Sequence, residues 1–133
     1  MKIVIIGGGI GGFAVGIGLL QNGYDDVMIY ERDSGMEVRR QGYGLTILQG
    51  INALKKFNVF DQMKELDTPS RSHFISNKNG SLIGFFGTIF SPEDNNQKPK
   101  SRKKYNLHCQ RQDLRRILMN KYISLHPLNQ QGI

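Results

Sequence analysis

The sequence predicts an α/β fold that opens on a strand, a tight turn, a helix and a second strand. Three observations predict it: a β-branched run over residues 2–6, a glycine cluster directly after it, and a second apolar run that ends on Glu31. There are 16 glycines, and about half lie in the first 23 positions. Such clustering marks a special turn rather than a disordered chain. A length of 133 residues suits one small domain, and an apolar share of 38% allows a core.

Each element follows from its own pattern. Lys2 to Ile6 is short, apolar and β-branched, which reads as a buried parallel strand. Gly7 to Gly12 is the turn. From Ile10 to about Gln21 the pattern is helical, with Phe13, Ile17 and Leu20 among its apolar positions, and Asn22-Gly23 is a stop signal. Val27 to Tyr30 is a second strand, which completes a βαβ unit of residues 1–32. Ser34 to Gly44 reads as a loop. Helices are expected from about Gln49 to Phe57 and from Phe60 to Leu66, ahead of Pro69. Asn79-Gly80 between Ser72–Asn77 and Ser81–Phe86 is a hairpin signal. Residues 88–104 read as a long polar loop and Tyr105 to Cys109 as a strand. Gln112 to about Leu125 reads as a helix with Leu114, Ile117, Leu118, Tyr122 and Leu125 on one face.

Charge and cysteine usage narrow the function classes. The net charge is +7, but Lys98, Lys100, Arg102, Lys103 and Lys104 supply five of those charges in one stretch. A nucleic-acid surface needs cations spread along a groove with aromatic platforms between them, so none is expected. Cys109 is the sole cysteine, which excludes an internal disulfide and a cysteine cluster and favours a reducing, cytoplasmic setting. Residues 3–20 lack charge, as a membrane span or leader would. The glycines patterned behind a β-branched run argue instead for strand, turn and helix, with no integral membrane segment. No metal site is expected, and the oligomeric state is not legible.

Gly7, Gly9 and Gly12 fill the pattern G-x-G-x-x-G. The first glycine permits the turn out of the strand, the second lets a pyrophosphate approach the backbone, and the third lets the helix lie close to the sheet. The free amides and positive dipole end of the helix then face the phosphates. Glu31 lies at the end of the next strand, where a carboxylate can accept hydrogen bonds from ribose hydroxyls. This combination points to an adenine dinucleotide and leaves FAD and NAD(P) open.

Residues 39–57 (RRQGYGLTILQGINALKKF) resemble the second signature of the FAD-dependent hydroxylase family, which includes para-hydroxybenzoate hydroxylase, the tetracycline-inactivating monooxygenases and zeaxanthin epoxidase. Residues 106–118 (NLHCQRQDLRRIL) resemble the family's Arg-x-x-Leu segment at a helix start. The resemblance implies an incomplete FAD/NAD(P)-binding Rossmann-like domain, with residues 70–90 starting a β-sheet substrate region and residues 105–126 forming a strand and an Arg-led helix. It implies that Gly7, Gly9 and Gly12 hold the FAD pyrophosphate region, that Glu31 takes the adenosine ribose and that Arg32 lies along the adenosine. Arg40 would approach the flavin side, and Arg111 the ribityl–phosphate part. Arg39, Arg115 and Arg116 read as solvated.

The implied activity is that of a monooxygenase that uses NAD(P)H and O2 to hydroxylate or epoxidise a small organic substrate. That chemistry belongs to the flavin, so no side chain is nominated as a catalytic acid or base. Tyr43, His73 and His108 are candidates by residue type only and read as structural. The family's later Asp-Gly and Gly-Asp segments do not occur in these 133 residues. The expectation is therefore a truncated N-terminal portion that binds FAD poorly and does not turn over alone. The alternatives are an NAD(P)-dependent oxidoreductase domain and a non-catalytic dinucleotide-binding fragment.

Overall fold

A computed structural model describes residues 1–38, 42–68, 72–87 and 107–126. The chain is mixed α/β. The first unit is β1 (Ile3–Ile6), α1 (Ile10–Gln21) and β2 (Val27–Tyr30). β1 and β2 pair in parallel with Ile3 opposite Val27 and Ile6 opposite Tyr30. A parallel pair needs a crossover connection, and α1 supplies it. Residues 3–20 are thus a four-residue strand, a turn and the bulk of a 12-residue helix. Among the described residues no helix is long and apolar enough to cross a membrane.

The middle of the chain holds β3 (Gly44–Ile47), α2 (Ile51–Lys56) and α3 (Phe60–Glu65). β4 (Ser72–Ser76) and β5 (Leu82–Gly87) form the expected hairpin, whose Gly80 has φ +82. β6 (Leu107–Gln110) runs directly into α4 (Arg111–Leu125). β3 and β6 pair antiparallel, with Leu45 opposite Cys109. The strand at residues 44–47 lies where the sequence pattern offered only the end of a loop. It is four residues long, and its partner is about 60 residues away in sequence, so no local signal defines it. The polar stretch 88–104 falls outside the described residues.

The core lies between α1, α4, β2, β6 and α3. Ile17, Val27, Met63, Leu107 and Leu118 are fully enclosed. α1 and α4 approach closely because residue 16 is a glycine. A Cβ there would stand 3.0 Å from both Ile29 Cδ1 and Tyr122 Cδ2. Tyr122 fills this notch and donates its hydroxyl to the Val27 carbonyl at 2.6 Å. Burying a tyrosine hydroxyl without a partner is costly, so this bond is what lets the ring sit there.

A second strand departs from expectation. β1 is covered on one face only: Ile3 and Ile5 pack on the core, while Val4 and Ile6 are 48% and 83% exposed. Side chains alternate along a strand, and among the described residues this two-stranded sheet carries a helix on just one side. The exposed side chain of Ile6 lies at the mouth of the site described next.

Candidate functional site

The glycine turn is built by three steric facts. Gly7 has φ +106, a backbone conformation that favours glycine, and its amide donates to the Tyr30 carbonyl at 2.7 Å. A Cβ on Gly12 would collide with the Gly7 carbonyl oxygen, so only glycine lets α1 close this tightly on the turn. A Cβ on Gly9 would meet nothing within 4 Å, because that position faces open space. Gly9 is also the N-cap of α1 and offers no side-chain cap. The first-turn amides of a helix have no intrahelical partner, so this end of α1 presents donors and a partial positive charge.

Beside this turn lies a cleft of about 340 Å³. Its lining includes Gly7 and Gly9 from the turn, Glu31 and Arg32 from the end of β2, and Arg111 and Arg115 from the start of α4. Five of the seven residues singled out in the sequence, Gly7, Gly9, Glu31, Arg32 and Arg111, therefore line one concavity. Gly12 supports it from behind. Arg40 lies outside the described residues.

Glu31 is held by several donors. Its Oε2 accepts from the Gly8 amide at 2.8 Å, and its Oε1 accepts from the Asp33 amide at 2.9 Å. The Asp33 amide, with those of Gly8 and Arg32 and the Arg115 guanidinium, holds the carboxyl below the usual carboxylate range, against the opposing effect of burial. Gly8 is itself close-fitted: a Cβ there would come within 3.1 Å of Glu31 Cβ.

Arg111 leads α4. Its amide donates to the Tyr43 carbonyl at 3.1 Å, and its guanidinium carbon sits 5.7 Å from the centroid of the Tyr43 ring. Tyr43 thus steadies the arginine from the neighbouring segment through a cation–π contact. Gln112 is buried and donates to the Met36 carbonyl at 2.8 Å, which ties the loop after β2 to the same helix end.

Arg115 corrects the sequence reading. It is not solvated: it is 7% exposed, and its Nε donates to the Gly8 carbonyl at 2.7 Å. Its Nη2 lies 3.3 Å from Glu31 Oε2. The signal was present in the helical spacing, because positions 111, 115, 118 and 122 share one stripe and 118 and 122 are buried. Arg116, one position on, is half exposed and pairs with Glu37 and Asp113 at 2.9 and 3.0 Å. His108 Nδ1 lies 3.0 Å from Thr46 Oγ1 across the β3–β6 pair, which is a structural setting. Cys109 is 4% exposed, and burial pushes its thiol up to about 11, with the Asp113 and Asp67 carboxylates acting in the same direction.

No family model matches the chain. Solved structures do. The 2-methyl-3-hydroxypyridine-5-carboxylic acid oxygenase matches with a TM-score of 0.69 at 19% identity, covering 93% of this chain and 29% of that one. The p-nitrophenol 4-monooxygenase PnpA from Pseudomonas putida DLL-E4 matches with 0.69 at 18% identity, covering 93% and 29%. The tetracycline destructase Tet(55) matches with 0.65 at 19% identity, covering 94% and 28%. The chain thus spans less than a third of the length of these proteins. Its fold is that of the matched portion of these oxygenases and destructases, the class of protein that the sequence resembles.

Proposed function

We propose that this chain is the cofactor-binding N-terminal portion of an FAD-dependent monooxygenase, an oxidoreductase that uses NAD(P)H and O2 on a small organic substrate. One observation carries this reading: Gly7, Gly9, Glu31, Arg32 and Arg111, from segments distant in sequence, converge on a cleft at an uncapped helix N-terminus. The residues present fit a dinucleotide. The open side of Gly9 leaves room for a pyrophosphate, the α1 amides provide donors, and Glu31 provides an acceptor for ribose hydroxyls.

In this reading Gly7, Gly9 and Gly12 shape the pyrophosphate seat, Glu31 takes the adenosine ribose and Arg32 lies along the adenosine. Arg111 pairs with phosphate, for which its planar, permanently charged fork is suited. Arg40 approaches the flavin from its loop. FAD, when bound, supplies the redox and oxygen chemistry, and the chain's residues bind and orient it. FAD is favoured over NAD(P) by Arg111, which lines the cleft and is held by Tyr43, since a simple NAD domain needs no such residue. Residues 1–32 form the dinucleotide unit, residues 70–90 start the substrate sheet and residues 105–126 supply the Arg-led helix. Turnover resides in a longer assembly of the length these oxygenases have, and the isolated chain holds FAD weakly.

Titration of the chain with FAD and with NADH, each followed by its own fluorescence and competed with ADP, tests the reading. Weak FAD binding that ADP displaces is expected. Preferential binding of NADH overturns the flavin assignment in favour of a nicotinamide enzyme.

A further inference from the structure

We propose that Arg115 is a positioning residue that makes Glu31 a reader of the ribose diol. This rests on the reading of the cleft as an adenine-dinucleotide site. Three observations support it. Arg115 is buried, while the Glu31 carboxylate beside it keeps part of its surface open. It reaches two acceptors at once, the Gly8 carbonyl at 2.7 Å and Glu31 Oε2 at 3.3 Å. Those two acceptors belong to the glycine turn and to the end of β2, the two segments that must keep a fixed separation for phosphate and ribose to be held together.

The geometry gives the arginine a job that lysine cannot fill. The guanidinium is planar and presents Nε and a terminal nitrogen in a fixed fork, so turn and carboxylate are set relative to each other by a rigid group. An ionised carboxylate has about four acceptor sites. Gly8, Arg115 and Asp33 bond to Glu31, two of them at Oε2, and the Arg32 amide also acts on the carboxylate. The carboxylate is thereby pinned more firmly at Oε2, which takes two of these bonds, than at Oε1, which takes the bond from Asp33. Loss of Arg115 leaves Oε2 with the Gly8 amide as its remaining donor, which loosens the carboxylate, and leaves the Gly8 carbonyl without this donor. The turn bears on both ligands alike, whereas the carboxylate contact bears on the diol alone, so the ratio of the two affinities isolates it.

The experiment is calorimetric titration of the full chain with ADP and with 2′,3′-dideoxy-ADP, for the wild type, Arg115→Gln, Glu31→Gln and the double variant. The wild type should prefer ADP by about tenfold or more, as loss of hydrogen bonds to a charged group implies. Arg115→Gln should lose most of the preference, whatever it costs in affinity for the dideoxy compound, because the ratio of the two affinities is what reads the diol. The double variant should lose no more preference than Glu31→Gln alone. Arg115→Lys, which keeps the charge but not the fork, supplies the same test should Arg115→Gln fail to fold, and should also lose most of the preference. A purely structural arginine would weaken both ligands equally and leave their ratio intact, and that result overturns the inference. Absence of ADP binding by the folded wild type overturns the dinucleotide reading and this inference with it. A wild-type preference retained in the folded Arg115 variants overturns this inference alone.

Discussion

The α1–α4 body and the β4–β5 hairpin are held together in opposite ways. In the body, side chains from distant segments enclose one another: Ile17, Val27, Leu107 and Leu118 come from four different elements and all are buried. In the hairpin the contacts are local. Phe74 and Phe85 face each other at 5.2 Å between centroids, yet Phe74 and Ile83 are 63% and 66% exposed. None of the hairpin's described side chains joins the core cluster. A two-stranded hairpin by itself is marginal in water, whereas a shared core is cooperative. Local turn chemistry is enough to shape a segment, then, while stability and the cleft both require residues that are far apart in sequence.

The comparison can be broken most severely at Gly12. Gly12→Ala places a Cβ against the Gly7 carbonyl oxygen, a backbone atom that cannot step aside. Overpacking ordinarily costs about 1–3 kcal/mol, and a backbone collision lies at the upper end or beyond. Urea denaturation should show this loss. Next is Leu118→Ala, which removes an enclosed core side chain and should cost about 2–5 kcal/mol, while Phe74→Ala in the hairpin should leave the urea midpoint nearly unchanged. Equal losses from the two would refute the division between body and hairpin.

A gentler probe is acid. The folded-state pKa of Glu31 is depressed, so its contribution to stability is present above the unfolded value of about 4.3 and is lost as pH falls through the folded value. The chain should therefore weaken below about pH 4, and Glu31→Gln should flatten that part of the profile. A variant that shows the same acid dependence as the wild type would dismiss Glu31 as its source. Smallest of all is Gly80→Ala, which forces a φ of +82 on alanine at the hairpin turn. It should fray β4 and β5 by about 1 kcal/mol, visible as faster local amide exchange, with no shift in the global melt.

The same contrast explains how much could be read in advance. The βαβ unit was legible because each of its signals is local: a β-branched run, a glycine turn, a helical stretch stopped by Asn22-Gly23, and a second run ending at Glu31. The hairpin was legible from Asn79-Gly80. β3 was not, because Gly-Leu-Thr-Ile alternates over four residues only, too short a run to mark a strand until β6 lies beside it. In the site, glycine positions and the strand-end acid carry their chemistry in their spacing. Arg115 carries a weaker mark, since Arg-Arg close after Asp113 looks like a solvated helix surface. Its place on the stripe shared with Leu118 and Tyr122 becomes meaningful only when α4 is laid against the glycine turn.

The notch at Gly16 has a consequence for the order in which the molecule comes together. Residues 3–30 leave the ribosome as a contiguous unit, well ahead of Tyr122. Until that ring arrives, the pit over Gly16 stays wet and the Val27 carbonyl lacks the hydroxyl it receives in the finished molecule. The nascent unit thus waits, unsealed, for a helix synthesised some ninety residues later, and the same late event delivers Arg115 to the turn.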